Sequence, residues 1–290
     1  MAGHVGLNEC LEHDISGGGT FVAFSKVERG SMTYEGGEAQ ENIGAGGQVA
    51  YYRDMVVPVG SAQTMLQSIA LLACAKPAAF GSLPPIIQKI HGGPISTANA
   101  ARLHEDCYLG KVKLSCSQGK PVMVEYNWKA LLETEKTTIA SAATKLTNTP
   151  VVWHDADVDV DGAGLKCTSW ELEITNEIKA QTSQDTKAAG VQRLPEWFDP
   201  GNFVVTVKAT VRVNPGFDFS ADFPSTFEFK FVGQDNETSP KTLTVDCASG
   251  SGFQLQGDPL EIVSGGEAVA YEINGRSVND LSIIGITFSA

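Results

Sequence analysis

The chain has 290 residues, 42% of them hydrophobic, and a formal net charge of −13. It is long enough to bury a core without disulfides, too apolar for global disorder and too acidic for a protein that grips nucleic-acid phosphates. No run approaches the ~20 apolar residues of a membrane-spanning helix, and the opening residues 1–9 carry neither the basic nor the apolar region of a secretory signal.

In chain order, Gly17-Gly18-Gly19 lacks the strand and helix that frame a dinucleotide site, so it reads as a flexible turn. β-rich runs at 20–35 and 48–59 flank a Gly- and Glu-rich connection at 35–47. Residues 61–76 predict a helix: Met65, Ile69 and Leu72 form a stripe widened by Leu66 and Ala73, Ser61 is placed to cap it, and Pro77 stops it. Val112, Leu114 and Cys116 then alternate with Lys111, Lys113 and Ser115, the period of a half-buried strand. A further β run covers 121–127, and 129–145 reads as a weaker helix or a loop.

The second half is more clearly β. Trp170, Leu172 and Ile174 oppose Glu171, Glu173 and Thr175; Val205, Val207, Ala209, Val211 and Val213 oppose Thr206, Lys208, Thr210, Arg212 and Asn214; and Phe227, Phe229 and Phe231 oppose Thr226, Glu228 and Lys230. Further β runs lie at 241–247, 268–273 and 281–289, and a long connection at 179–201 mirrors the one at 35–47. Gly119–Asn127 can be laid over Gly266–Asn274, with Gly, Val, Glu and Asn coinciding. A tandem duplication follows as an expectation, with units at 1–148 and 149–290.

Few residues suggest chemistry. Asp157, Asp159 and Asp161 before Gly162 fit the first half of a calcium loop, but Thr168 stands where the bidentate Glu belongs. The competing reading is an acidic strand closed by an Asp-Gly turn. The six cysteines have no metal-binding or redox spacing and read as reduced core residues. His4, His13, His91, His104 and His154 form no nucleophile or zinc motif, so the sequence offers no case for an enzyme and no cofactor. Trp197 and Phe198 sit in a two-proline loop, either as its anchor on its own domain or as a subunit contact.

The stretch Leu165–Lys179 resembles the strand that precedes the long loop in the tail tube (major tail) proteins of long-tailed, non-contractile bacteriophages. Thr175-Asn176, the polar loop, Leu194-Pro195 and the long alternating strand from Asn202 to Asn214 follow that family's order, as do Asp161-Gly162 before it and the terminal strand Ile284–Ala290. The resemblance is clearest over 150–290 and weaker over 1–130. It implies a mainly β fold of tandem β-sandwich or partial-barrel units with one flanking helix, 61–76 here, whose long hairpins close a large β-barrel on oligomerisation. It further implies a structural virion protein made in the host cytoplasm, with stacked rings forming a hollow tube that conducts DNA at ejection. Single-unit members form hexameric rings, so a tandem duplicate would form trimeric pseudo-hexamers. The implied partners are other copies, the tape measure, tail terminator and tail tip proteins, and DNA passing unbound, with no membrane.

On that reading Glu28, Glu171 and Glu173 are lumen acids that repel phosphate. The loops 36–47 and 180–198 carry contacts between subunits and rings through Glu38, Glu41, Asn42, Ile43, Gln181, Gln184, Trp197 and Phe198. The rival readings are a carbohydrate-binding β-sandwich with calcium at Asp157, Asp159 and Asp161, and the tube protein of a contractile tail or secretion device.

Overall fold

The computed structural model describes residues 9–24, 27–36, 39–43, 49–53, 55–94, 101–136, 149–160, 166–182, 194–212, 226–227, 229–235, 242–247, 253–255, 270–282 and 284–289. Its strands are β1 (Glu9–Asp14), β2 (Val22–Ala23), β3 (Val27–Gly36), β4 (Ala39–Ile43), β5 (Val49–Arg53), β6 (Val56–Met65), β7 (Ile87–Pro94), β8 (Ala101–Ser117) and β9 (Met123–Lys136). They continue with β10 (Val151–Val160), β11 (Lys166–Gln181), β12 (Trp197–Arg212), β13 (Thr226–Phe227), β14 (Phe229–Asp235), β15 (Thr242–Asp246), β16 (Phe253–Leu255), β17 (Ala270–Val278) and β18 (Gly285–Ser289). All named pairings are antiparallel.

One path through the large sheet runs β3-β6-β9-β8-β11-β12-β17-β16. It contains the same four-strand order twice: β3-β6-β9-β8 and then β11-β12-β17-β16, joined where β8 meets β11. The registers agree as well. Ser61, Ala62 and Gln63 face Asn127, Tyr126 and Glu125, while Lys208, Ala209 and Thr210 face Asn274, Ile273 and Glu272, so one constant shift along the chain relates both strands of the two pairs. Asn127 Nδ2 donates to Glu125 Oε1 at 3.1 Å, and Asn274 Nδ2 donates to Glu272 Oε1 at 3.1 Å. The side strands follow suit: β7 pairs with the N-terminal part of β8, as β13 pairs with β16.

A second sheet, β10-β14-β15-β18, covers one face of the large one. Between them lies a core drawn from both halves of the chain. The alternation in the sequence dictates it: Val112, Leu114, Leu172, Ile174, Val205, Val207 and Ala209 all turn inward. Trp170 stacks across the layer, 4.7 Å from the Phe231 ring and 5.5 Å from Phe229.

The helix expected at 61–76 is absent. Residues 61–65 complete β6, and the only helical element among the described residues is a 3-10 turn at Leu72–Ala75. Ala62, Thr64 and Leu66 are buried at strand period, with Ser61, Gln63 and Met65 on the other face. Pairing with β3 on one edge and β9 on the other satisfies the backbone that a helix would have satisfied internally. Ser61, assigned as a helix cap, instead meets Ser31 Oγ at 2.9 Å across the sheet. Gly60 is required where it stands, because a Cβ there would run into the Trp128 ring. The weaker helix or loop expected at 129–145 is also corrected over its first part, where β9 runs on to Lys136; residues 137–148 lie outside the described set.

Because Trp170 fills the space between the layers, Trp170→Ala should lower unfolding stability by about 3–5 kcal/mol. Trp197→Ala, at a side chain 45% exposed, should change it by less than about 1 kcal/mol. Urea denaturation of both variants checks the contrast.

Candidate functional site

The face of the large sheet turned away from the core is mostly polar and runs across both halves. One cross-strand row runs Arg29, Gln63, Glu125, Lys113, Glu173, Thr206, Arg276. A neighbouring row runs Met65, Met123, Ser115, Glu171, Lys208, Asn274, and another runs Ser31, Ser61, Asn127, Lys111, Thr175, Val204, Val278. Period-two alternation builds these rows, since each residue that faces outward separates two that enter the core. Diagonal ion pairs stitch them together: Lys111 Nζ lies 2.7 Å from Glu173 Oε2, and Lys113 Nζ lies 2.7 Å from Glu171 Oε2. Lys129 reaches Glu35 at 3.2 Å.

Beside these rows is a cavity of about 520 Å³, bordered by Ser61, Lys111, Asn127, Lys129 and Glu177. A small apolar cluster of Val57, Ile178 and Phe198 lies apart from the main core, packed with Tyr108, Leu131 and Ala180. Asn176 is buried at the β11–β12 bulge, donating to the carbonyls of Ala75 at 2.8 Å and Leu109 at 2.9 Å. Its role was not legible beforehand, because the carbonyls it meets come from distant parts of the chain.

The expected site residues are distributed as follows. Glu171 and Glu173 lie on the polar face, each paired with a lysine. Glu28 falls on β3. Glu41, Asn42 and Ile43 fall on β4, opposite Tyr51, Ala50 and Val49 of β5. Gln181 ends β11 and pairs with Trp197, which is exposed, whereas Phe198 is buried within its own chain against Tyr108, with ring centroids 5.7 Å apart. Asp157 and Asp159 lie on β10 opposite Val232 and Lys230, in extended pairing rather than the curl of a calcium loop. Glu38, Gln184 and Asp161 lie outside the described residues. Among the described residues, no group of three or more His, Cys, Asp or Glu is placed to hold a metal ion.

The buried titratable groups are tied into the packing. Burial raises the thiols of Cys74 to about 11 and of Cys116 and Cys167 to about 12, which keeps them protonated and weakly nucleophilic. Trp128 Nε1, a donor only, lies 3.0 Å from His104 Nδ1, so that nitrogen accepts and His104 Nε2 donates to Glu133 Oε2 at 2.9 Å. Burial pushes the Glu133 carboxyl up, but hydrogen bonds from His104 and Tyr34 and the nearby Arg102 charge outweigh it and hold the carboxyl below its usual range. Asp14 closes the glycine turn: Gly19 N donates at 2.7 Å and Gly17 N at 2.9 Å, with both glycines at positive φ. The His104 contacts join β8 to β9, and the Asp14 contacts close the turn after β1.

A family model described as phage tail tube protein matches residues 17–277, nearly the whole described span. The chain belongs to the phage tail tube protein family. No curated protein gives a significant match. In a structural tail tube protein, a broad sheet face with cross-strand ion pairs and buried thiols held protonated is coherent. No helix among the described residues of the tail tube protein is long and apolar enough to cross a membrane.

Burial lowers the pKa of His13 from 6.5 to about 4, against a smaller upward pull from Asp14. The unfolded chain therefore takes up this proton near pH 6.5 and the folded one only near pH 4, so stability is full above pH 6.5 and falls as pH drops through that window. At about pH 4.5 the wild type should have lost about 2–3 kcal/mol more than His13→Asn, relative to each protein at neutral pH. Urea midpoints at the two pH values check this, and equal losses would remove His13 from the account.

Proposed function

We propose that the chain assembles into stacked rings that form the hollow tube of a phage tail and conduct DNA at ejection. The observation that carries this reading is the repeated strand order β3-β6-β9-β8 and β11-β12-β17-β16 within one sheet. A unit that adds its own copy edge to edge inside one chain can add further copies the same way between chains. β8 of the first unit meets β11 of the second. Among the described strands β3, which occupies in the first unit the place of β11 in the second, pairs only with β6. Its outer edge is where a neighbouring copy adds, through the side of its sheet that carries β16. Closing the ring removes an edge that would otherwise invite uncontrolled pairing.

On this reading the tandem units, taken as 1–148 and 149–290, make each chain equivalent to two positions of a six-unit ring, so three chains close it. The polar rows line the channel. The β4–β5 hairpin and the 180–198 connection, with Trp197 exposed where it enters β12, make the contacts from ring to ring. The tape measure, tail terminator and tail tip proteins are the partners at the ends of such a tube.

Negative-stain microscopy of the purified protein over a range of concentrations tests assembly. Stacked rings or hollow tubes are expected, and shortening either the 36–47 or the 180–198 connection should leave a folded protein that forms no tubes. Normal tubes from both shortened proteins would refute the assignment of these loops, and discrete particles without a central channel would refute the tube.

A further inference from the structure

Three rows of the polar face have a charge balance opposite to that of the molecule. The chain carries a formal charge of −13, yet on the three rows described above the bases Arg29, Lys111, Lys113, Lys208 and Arg276 outnumber the carboxylates Glu125, Glu171 and Glu173. An acidic lining would repel phosphate through unpaired carboxylates. Here the two carboxylates at the centre of the face are each held 2.7 Å from a lysine ammonium. All four side chains are part-exposed, so the pairs sit at the surface rather than in the core.

We propose that Glu171 and Glu173 act as masks: they occupy Lys113 and Lys111 so that these ammonium groups do not bind the phosphates of a DNA duplex passing over the face. The inference rests on the channel reading above and changes its chemistry, from repulsion by acid to compensation of lysine. Both pairs cross the junction of β8 and β11, where the two halves of the chain meet. An ammonium with no carboxylate at hydrogen-bond distance releases a DNA counterion when it meets phosphate, and this gain drives non-specific binding. An ammonium already bound to a carboxylate must give up that partner first, and little net gain is left. The lysines then serve to hold the two halves in register at the seam without adding to the grip of the face on phosphate.

The test uses the full chain and a fluorescent DNA duplex at low salt, with binding read by anisotropy. Glu171→Gln combined with Glu173→Gln keeps the side-chain shape but removes the two negative charges that hold the lysines. It should bind at least about tenfold more tightly than the wild type, with a log–log salt slope steeper by about 2, one for each lysine released. Adding Lys111→Gln and Lys113→Gln to that variant should return binding to the wild-type level. The pair exchange Lys111→Glu with Glu173→Lys, which preserves charge balance, should leave DNA binding at the wild-type level and serves if the double glutamine variant does not fold. Masking is overturned if the freed lysines bring no gain in affinity, or if the exchanged pair binds as tightly as the double glutamine variant. Microscopy of the same samples separates the two ideas: wild-type tubes together with no gain in DNA binding reject masking alone, whereas wild-type particles without a channel reject the tube reading itself.

Discussion

A β-strand satisfies only half of its backbone groups within a hairpin; the other edge must find a partner or face water. The junction of β8 with β11 resolves that requirement for the inner edges of both halves of the chain, with Ser117 to Lys111 set antiparallel to Ser169 to Thr175. The rest of the structure follows from this seam. It aligns the alternation of β8 with that of β11, so Leu114 and Leu172 enter one core while Lys113 and Glu173 share the other face. A slip of one residue would exchange those faces, placing lysines against Phe229 and Phe231. The diagonal Lys–Glu pairs therefore serve a second purpose: they favour the one register that keeps the core apolar.

The same seam explains how a strongly acidic chain can present a face that is not acidic. Ion pairing needs both signs on facing strands, and the alternation of Lys111 and Lys113 against Val112 and Leu114 puts the bases where Glu171 and Glu173 can meet them. Most of the negative charge is carried elsewhere. On the proposed channel reading this division suits a tube subunit, since a surface along which a polyanion slides must avoid both adhesion and wasted repulsion, while the excess acid on the remaining surface opposes indiscriminate association.

Much of this was legible in the residue pattern, and the exceptions have physical causes. Val205 through Val211 alternate so regularly that the strand, its buried face and its partner-facing residues could be read directly, and the match of Glu125 and Asn127 with Glu272 and Asn274 is repeated in their side-chain hydrogen bonds. The stretch 61–76 failed because its small and aliphatic residues fit two periods. Met65, Ile69 and Leu72 fit a helix, Ala62, Thr64 and Leu66 fit a strand, and the choice was made by neighbours far away in sequence, β3 and β9. The ion partners of Glu171 and Glu173 were hidden for the same reason: each residue's type was evident, but register across a long-range pairing is not encoded locally. Phe198 was open to two readings and is spent inside its own chain, while the adjacent Trp197 is left exposed.

The central claim is that one chain supplies two equivalent positions of a ring through its repeated four-strand order. Native mass spectrometry of rings released from assembled tubes measures this most directly. The account predicts rings of three chains; rings of six chains would contradict it, because each chain would then occupy one position and the repeat would have no role in closing the ring.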